Sequence, residues 1–208
     1  MYSTRPGYII GFHGCDEIVR DSVLLGKSDL NHSENKYDWL GNGIYFWENN
    51  LQRAYSFAKE LKDNPRPGKP SIKKPAVLGA IINLGICLDL LDSEYLDLLK
   101  DRHKALENSA KQLNVKLPTN KTGIGTNDIM LRDLDCLVIE YLNLVIEYLN
   151  KYASVPFDSV RGVFIEGSNL YPTSGFNEKN HIQVCIRNPN CIKGYFLPRN
   201  LNSSYRKV

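Results

Sequence analysis

Short runs of apolar residues, separated by polar segments, predict six β-strands along this chain. Each run is rich in aromatic or β-branched side chains, which favour the pleated and half-buried surface of a sheet. One of the runs is apolar almost throughout, which is typical of a strand buried on both faces. The predicted strands cover residues 8–12, 43–47, 76–84, 160–165, 181–186 and 192–196.

Apolar positions spaced three and four residues apart predict helices between these strands. Asp16 and Asp92 suit the N-caps of two of them, because a side-chain oxygen at that position accepts from a free N–H of the first turn. Asn49 or Asn50 suits the N-cap of a third helix, and Gly26 suits the end of the first. The predicted helices cover residues 17–25, about 51–62, 93–113 and a segment that contains residues 137–150.

The heptad LVIEYLN occurs twice in succession, over residues 137–143 and 144–150. Seven residues make nearly two helical turns, so both copies present the same face inward with a drift of ~20°. The repeat therefore predicts a buried or partner-facing helix that a short duplication has lengthened. We expect Glu140 and Glu147 on the polar side of this helix, without a chemical role.

Strands at both ends with helices between them predict one α+β domain over residues 1–208, with a helical insertion at about residues 90–155. Residues 27–41 form a polar loop of unusual length, and such loops are often functional. Residues 65–75 hold four prolines and several basic side chains; a solvated linker is the main interpretation and a phosphate-facing patch the alternative. The pair Gly123 and Gly125 belongs to an incomplete G-x-G-x-x-G pattern without a leading strand, and predicts a turn.

The composition is that of a globular protein, with 42% hydrophobic and 24% charged residues, and excludes a disordered or fibrous chain. We expect a cytoplasmic protein without a membrane partner, because no apolar run approaches the ~20 residues of a membrane span and no signal peptide is evident. The net charge of +3 neither requires nor excludes a nucleic-acid partner.

The five cysteines are odd in number and scattered, which predicts reduced thiols. Cys185 and Cys191, with His181 nearby, lack the second cysteine pair that a four-ligand zinc site of this kind needs. We therefore expect no metal.

Three short pieces carry a resemblance to a known family. A strand runs into His13-Gly14, a Gly-x-Gly-x-Tyr-Phe segment (residues 41–46) opens a helix, and a late strand carries the polar Gln183 between apolar neighbours. In this order they resemble the ADP-ribosyltransferase superfamily, specifically its histidine–tyrosine–glutamate class of diphtheria-toxin and poly(ADP-ribose) polymerase catalytic domains. The resemblance spans residues 8–196 and implies a split antiparallel β-sheet that holds NAD in a cleft, with the helical insertion between the sheet halves.

The resemblance also implies roles for individual residues. His13 would donate to a ribose hydroxyl, the backbone of Gly14 would pair with the nicotinamide carboxamide, and the ring of Tyr45 would stack on nicotinamide. Taken alone, His13 and Tyr45 would more often be ordinary core residues. The residues expected to contact NAD are His13, Gly14, Cys15, Gly43, Tyr45, Phe46 and Arg53.

Two positions after Tyr45 depart from the family pattern. The second tyrosine, eleven residues on, is replaced by Ser56, so the stack is either one-sided or completed by Tyr55 or Phe57. Arg53 stands where polymerase-type members often carry a serine that binds the carboxamide. Its guanidinium would instead meet a phosphate of NAD.

The larger departure is Gln183, which stands at the position of the catalytic glutamate. A glutamine can still hydrogen-bond the ribose 2′-hydroxyl but supplies no charge, so transfer of a single ADP-ribose is expected rather than polymer elongation. His181 lies two residues earlier on the same strand face, where it is either a general base for the acceptor or a strand-end surface residue. Glu166 is either an alternative carboxylate or a surface or capping residue.

The expected activity is a mono-ADP-ribosyltransferase that uses NAD as substrate and a protein or nucleic acid as acceptor, with a toxin as one biological setting. Two alternatives stay open: an NAD glycohydrolase, in which water is the acceptor, and a non-catalytic module that binds NAD or ADP-ribose. The loop at residues 167–180 would recognise the target through Tyr171 and Phe176, unless these rings pin the loop to its own domain. The oligomeric state is left open.

Overall fold

The computed structural model describes residues 7–66, 68, 70–123, 126–149 and 155–206. Strands and four α-helices alternate irregularly along these ranges. The strands are β1 Ile9–Asp16, β2 Ile44–Glu48, β3 Pro75–Ile82, β4 Cys87–Asp89, β5 Lys121–Thr122, β6 Ile129–Leu131, β7 Ser159–Phe164, β8 His181–Ile186 and β9 Ile192–Phe196. The helices are α1 Glu17–Leu24, α2 Leu51–Asp63, α3 Ser93–Gln112 and α4 Asp133–Leu149.

Seven strands form one sheet in the order β4-β7-β8-β2-β1-β3-β9, and β5 and β6 form a separate hairpin. Every pairing within the large sheet is antiparallel except that of β4 with β7. The protein is therefore α+β with a mostly antiparallel sheet, as predicted. The insertion between β4 and β7 contains α3, α4 and the β5–β6 hairpin, and residues 150–154 of the predicted insertion lie outside the described residues.

The sheet is nearly interrupted at its centre, between β1 and β2. β1 pairs with β3 over eight residue pairs, from Ile9–Ile82 to Asp16–Pro75. Its pairing with β2 covers two residue pairs, Gly11–Glu48 and Phe12–Trp47. The backbones of β1 and β2 therefore part beyond Phe12, where β1 continues into His13 and Gly14.

The two faces of the sheet are covered by different helices. On the α1 face, Phe46, Leu78 and Val184 join Val23 of α1 in a buried core. On the opposite face, called here the α2/α4 face, Ala54 of α2 packs with Trp47 and Val77. The same face is covered further along by α4, where Ile139 and Leu142 pack with Leu40, Val160 and Cys185.

Three predicted N-caps are confirmed. The side chains of Asp16, Asn50 and Asp92 each accept from a backbone N–H of the first turn that follows. The second carboxylate oxygen of Asp16 also accepts from the N–H groups of Lys73 and Lys74, at 2.6 and 3.0 Å. One side chain therefore fixes both the start of α1 and the entry into β3.

The short strands β4, β5 and β6 were missed by the sequence analysis. They contain three, two and three residues, too few for an alternating pattern to show. Gly123 precedes the β5–β6 turn, whereas residues 124 and 125 of the predicted turn lie outside the described residues.

The two copies of LVIEYLN lie in different environments. In the first copy, Ile139 and Leu142 are 1% exposed, whereas in the second copy Leu144 and Tyr148 are 62% and 77% exposed. The first copy therefore supplies the buried side chains of this core, and Ile146 of the second copy packs against it from a partly buried position.

Glu140 has structural contacts that the heptad pattern did not indicate. Its carboxylate accepts from the backbone N–H of Asn42 at 2.8 Å and pairs with the guanidinium of Arg187. Glu140 thereby ties α4 to the turn at residues 41–43. Glu147, its counterpart in the second copy, is exposed.

All five cysteines, at positions 15, 87, 136, 185 and 191, are buried. Burial raises the pKa of the Cys15, Cys136 and Cys191 thiols to about 11, and raises that of Cys185 further still. These thiols are therefore protonated at neutral pH. Among the helices described, none has the length and apolar character needed to cross a bilayer.

Candidate functional site

The candidate site is built where β1, β2 and β8 meet at the centre of the sheet. Tyr45 lies opposite Cys185, and Trp47 lies opposite Gln183. Because side chains alternate along a strand, Tyr45, Trp47 and Gln183 face the α2/α4 side. His13 packs against Phe46, which belongs to the α1 face. The structure thus brings the predicted residues to one region but on two faces of the sheet.

His13 bridges the gap between β1 and β2. Its Nδ1 lies 2.8 Å from the carbonyl oxygen of Tyr45, and its ring packs edge-to-face on Phe46 with 5.8 Å between the ring centres. Burial lowers the pKa of His13 below its usual value, so the ring is neutral at neutral pH. Because a carbonyl oxygen only accepts, Nδ1 carries the proton and Nε2 is left as an acceptor.

The hydroxyl of Tyr45 is held by the turn that precedes β2. It donates to the carbonyl of Gly41 at 2.8 Å and accepts from the N–H of Leu40 at 3.0 Å. Burial raises the pKa of Tyr45 well above its usual value. The ring packs against the core beneath α4. Tyr45 is therefore fixed at both ends of its side chain.

The predicted glycines are required by close packing. A Cβ at Gly14 would lie 2.1 Å from the carbonyl oxygen of Ala54, so glycine allows α2 to pack on β1. Gly43 has φ +156°, and a Cβ there would lie 2.6 Å from the sulfur of Cys185. Both glycines thus have structural reasons for being present, whatever their contact with a ligand.

Gln183 is bound by a residue that the sequence analysis did not single out. The indole Nε1–H of Trp39 donates to Oε1 of Gln183 at 2.7 Å. Trp39 lies in the long polar loop whose length had suggested a function. An aromatic residue within a polar loop is unusual, and this feature of the sequence could have identified Trp39 as a candidate site residue.

His181 is buried, so its interpretation as a surface residue is wrong. It is 7% exposed, and Nδ1 donates to the carbonyl of Lys179 at 2.6 Å. Burial is the main cause that lowers the pKa of His181. The neutral ring therefore keeps Nε2 as an acceptor, and this buried atom has no partner among the described residues. The ring lies near the rings of Phe164 and Trp47, with centres 5.3 and 6.2 Å away.

Arg53 is engaged by carboxylates in this structure. Its guanidinium lies 2.9 Å from Glu166 and 3.5 Å from Glu60, and it is 9% exposed. Lys179 pairs with the same two glutamates. Glu166 is 6% exposed, so the expectation of a surface or capping position is wrong. A contact between Arg53 and a phosphate of NAD would require this cluster to rearrange.

The remaining aromatic candidates divide into buried and exposed side chains. Phe57 packs on Trp47, with ring centres 4.8 Å apart, and Tyr55 is 40% exposed. Among the described residues, neither ring packs against the ring of Tyr45. Tyr171 and Phe176 are 58% and 63% exposed, so their rings do not pin the loop to the domain.

Cys15 and Phe46 belong to the core on the α1 face and are 6% and 0% exposed. Any contact that these two residues make with NAD would have to come from their backbone.

An open cavity of about 430 Å³ lies at the end of β2 and the start of β8. Of the predicted site residues, His181 alone lines it; the other lining residues are Glu48, Asn49, Val163, Asn180 and Ile182. Glu48 is held by the buried guanidinium of Arg161, so its charge is compensated. Across the described ranges, no group of three or more His, Cys, Asp or Glu side chains is placed to hold a metal ion.

The chain is similar to a protein of the archaeon Methanocaldococcus jannaschii described as uncharacterized protein MJ0359. The two are 27% identical over 199 residues, which cover 88% of this chain and 83% of the archaeal protein. No family model matches the chain, and no solved structure matches it. The similarity thus extends over most of both proteins.

Proposed function

We propose that the protein is a mono-ADP-ribosyltransferase that cleaves the bond between nicotinamide and ribose in NAD. The observation that carries this proposal is the contact between His13 and Tyr45. These residues are 32 positions apart, and their hydrogen bond lies where β1 leaves β2. A sheet that parts at this point supports the split sheet that the resemblance implies.

The gap between β1 and β2 is the proposed place for the nicotinamide end of NAD. A ligand in such a gap can meet groups of both faces, which would reconcile the opposite orientations of His13 and Tyr45. Since the neutral His13 has only Nε2 to offer, it would accept a hydrogen bond from a ribose hydroxyl rather than donate one. This reverses the direction implied by the resemblance while keeping the same two partners.

The reaction needs little covalent participation by the protein. The acceptor X–H adds to the ribose carbon as the bond to nicotinamide breaks, giving ADP-ribose–X, nicotinamide and a proton. The transition state resembles an oxocarbenium ion, so positioning and charge stabilisation supply the acceleration. His181, neutral and with Nε2 unpaired, is the proposed base for the acceptor proton.

A non-catalytic NAD-binding module is the second candidate, and Gln183 favours it. The carboxylate that would stabilise the oxocarbenium ion is replaced by a neutral amide. Glu166, which the sequence analysis considered as an alternative carboxylate, is already paired with Arg53. An NAD glycohydrolase would use the same residues with water as acceptor.

Two measurements on the purified chain separate these candidates. Thermal unfolding with NAD up to millimolar concentration tests binding, and failure to raise the midpoint would overturn both the transferase and the binding module. Release of nicotinamide then distinguishes an enzyme from a binder. With NAD labelled in its adenosine part, label recovered on a macromolecule supports transfer, whereas label recovered as free ADP-ribose supports hydrolysis.

A further inference from the structure

The amide of Gln183 has a defined orientation. An indole N–H has no lone pair to offer, so the atom that faces it at 2.7 Å must be the amide oxygen. The amide nitrogen, with its two N–H groups, then lies on the other side of the planar group. Gln183 therefore offers hydrogen-bond donors on the side away from Trp39.

Trp39 is itself held in place by three neighbours of its ring. A Cβ at Gly162 would lie 3.0 Å from the outer ring atoms of Trp39, so the strand packs directly against the indole. The guanidinium carbon of Arg132 lies 4.8 Å from the ring centre, and the ring of Phe164 lies 5.1 Å away. These contacts leave the indole little freedom, so the position of its N–H is fixed before any ligand binds.

We propose that Trp39 is a positioning residue that turns Gln183 into a hydrogen-bond donor for a ribose hydroxyl oxygen of NAD. This rests on the proposed function and specifies how its site recognises the substrate. A glutamate at this position would accept from the hydroxyl proton, whereas the oriented amide donates to the hydroxyl oxygen. With His13 accepting and Gln183 donating, the ribose is recognised by groups of opposite hydrogen-bonding character.

The first experiment measures the indole protons of the full chain without NAD. The chain has two tryptophans, so an amide-type ¹H–¹⁵N spectrum shows two indole signals, and Trp39→Phe identifies that of Trp39. We expect Gln183→Leu to speed the solvent exchange of the Trp39 indole proton. Gln183→Glu should leave it slow, because a carboxylate accepts from the same N–H. If the Trp39 indole proton exchanged at the same rate in the wild type and in Gln183→Leu, the proposal would be overturned.

The second experiment is a double-mutant cycle on NAD binding, measured by titration calorimetry. Loss of one hydrogen bond of about 1–1.4 kcal/mol weakens binding about 5–10-fold, which is expected for Trp39→Phe and for Gln183→Leu. The double variant should bind no more weakly than Gln183→Leu, because Trp39 acts through that side chain.

Multiplied effects in the double variant would mean that Trp39 affects NAD binding independently of Gln183, and would overturn the positioning role. Absence of NAD binding by the wild type would overturn the proposed function and the ribose assignment together. The indole exchange result would still decide whether Trp39 orients Gln183.

Discussion

The imidazole of His13 occupies the place of a strand-to-strand hydrogen bond, because its Nδ1 binds the carbonyl oxygen of Tyr45 at 2.8 Å. Beyond Phe12 the two backbones have separated, and the side chain spans the space between them. A side chain in this position can keep a sheet parted while holding its halves in register. The same contact sets the protonation state of the ring, which has consequences for stability.

Stability should fall as the pH drops below about 6.5, the usual pKa of histidine. The pKa values of His13 and His181 are lowered in the folded protein, mainly by burial. Below pH 6.5 the unfolded chain therefore binds protons that the folded chain does not, and the free energy of unfolding decreases. Urea unfolding at pH 7.5 and 5.0 measures the difference. In the double variant His13→Gln/His181→Gln, the free energy of unfolding should decrease less between these two pH values. A decrease equal to that of the wild type would contradict this account.

Gly14→Ala should destabilise the protein strongly. The added Cβ would meet the backbone of α2 at 2.1 Å, so the helix must move, at a cost of about 1–3 kcal/mol or more. Gly194→Ala is the matched control, since it is also a strand glycine and a Cβ there meets nothing within 4 Å. Thermal unfolding of the two variants should differ clearly; equal midpoints would show that α2 adapts without cost.

The two glutamates of the repeated heptad provide an internal comparison. Glu140→Gln should lower the free energy of unfolding by about 1–2 kcal/mol, because it weakens charge-assisted bonds to Arg187 and Asn42. Glu147→Gln changes the same residue within the same seven-residue sequence and should stay within about 0.5 kcal/mol of the wild type. Denaturant titrations that rank the two variants the other way would contradict the assigned contacts.

Tyr45→Phe should separate the structural role of the hydroxyl from the ligand role of the ring. It removes the bonds to Leu40 and Gly41 and should cost about 1–3 kcal/mol of stability. NAD binding should persist, because the ring remains. Tyr148→Phe, at a 77% exposed position, serves as the neutral control. Loss of NAD binding in a folded Tyr45→Phe protein would assign the hydroxyl to the ligand site.

Gln183→Glu should raise the rate of nicotinamide release by about tenfold or more. A carboxylate close to the ribose stabilises the positive charge of the transition state, and it still accepts from Trp39. Gln183→Leu is the control that supplies neither charge nor hydrogen bond. If all three proteins released nicotinamide at one rate, Gln183 would lie outside the reacting centre.

Local sequence was sufficient for much of the secondary structure. The predicted bounds of β8 and β9 are confirmed to the residue, and the cap at Asp92 begins α3 where expected. These features depend on neighbouring residues, whose chemistry can be judged directly from the sequence. The α+β class followed from the order of these elements.

Contacts between distant segments were not accessible in this way. Trp39 and Gln183 are 144 residues apart, and Arg53 and Glu166 are 113 apart. The residues that neighbour Trp39 or Arg53 in the sequence do not indicate which distant side chain each of them contacts in the folded protein. The heptad shows the limit most directly, since identical sequence gives a bound Glu140 and an exposed Glu147. The roles of His13, Tyr45 and Gln183 toward NAD stay predictions.

Because every thiol is buried, the rate at which each cysteine is alkylated reports on the local unfolding of the element that holds it. The nucleophile in alkylation is the thiolate, which is scarce at neutral pH when burial raises the pKa to about 11, as for Cys15 and Cys191. The five sites lie in β1, β4, α4, β8 and the turn before β9, so each becomes reactive only when its own element opens. The order in which they are modified therefore maps how the sheet comes apart, strand by strand, without any introduced label.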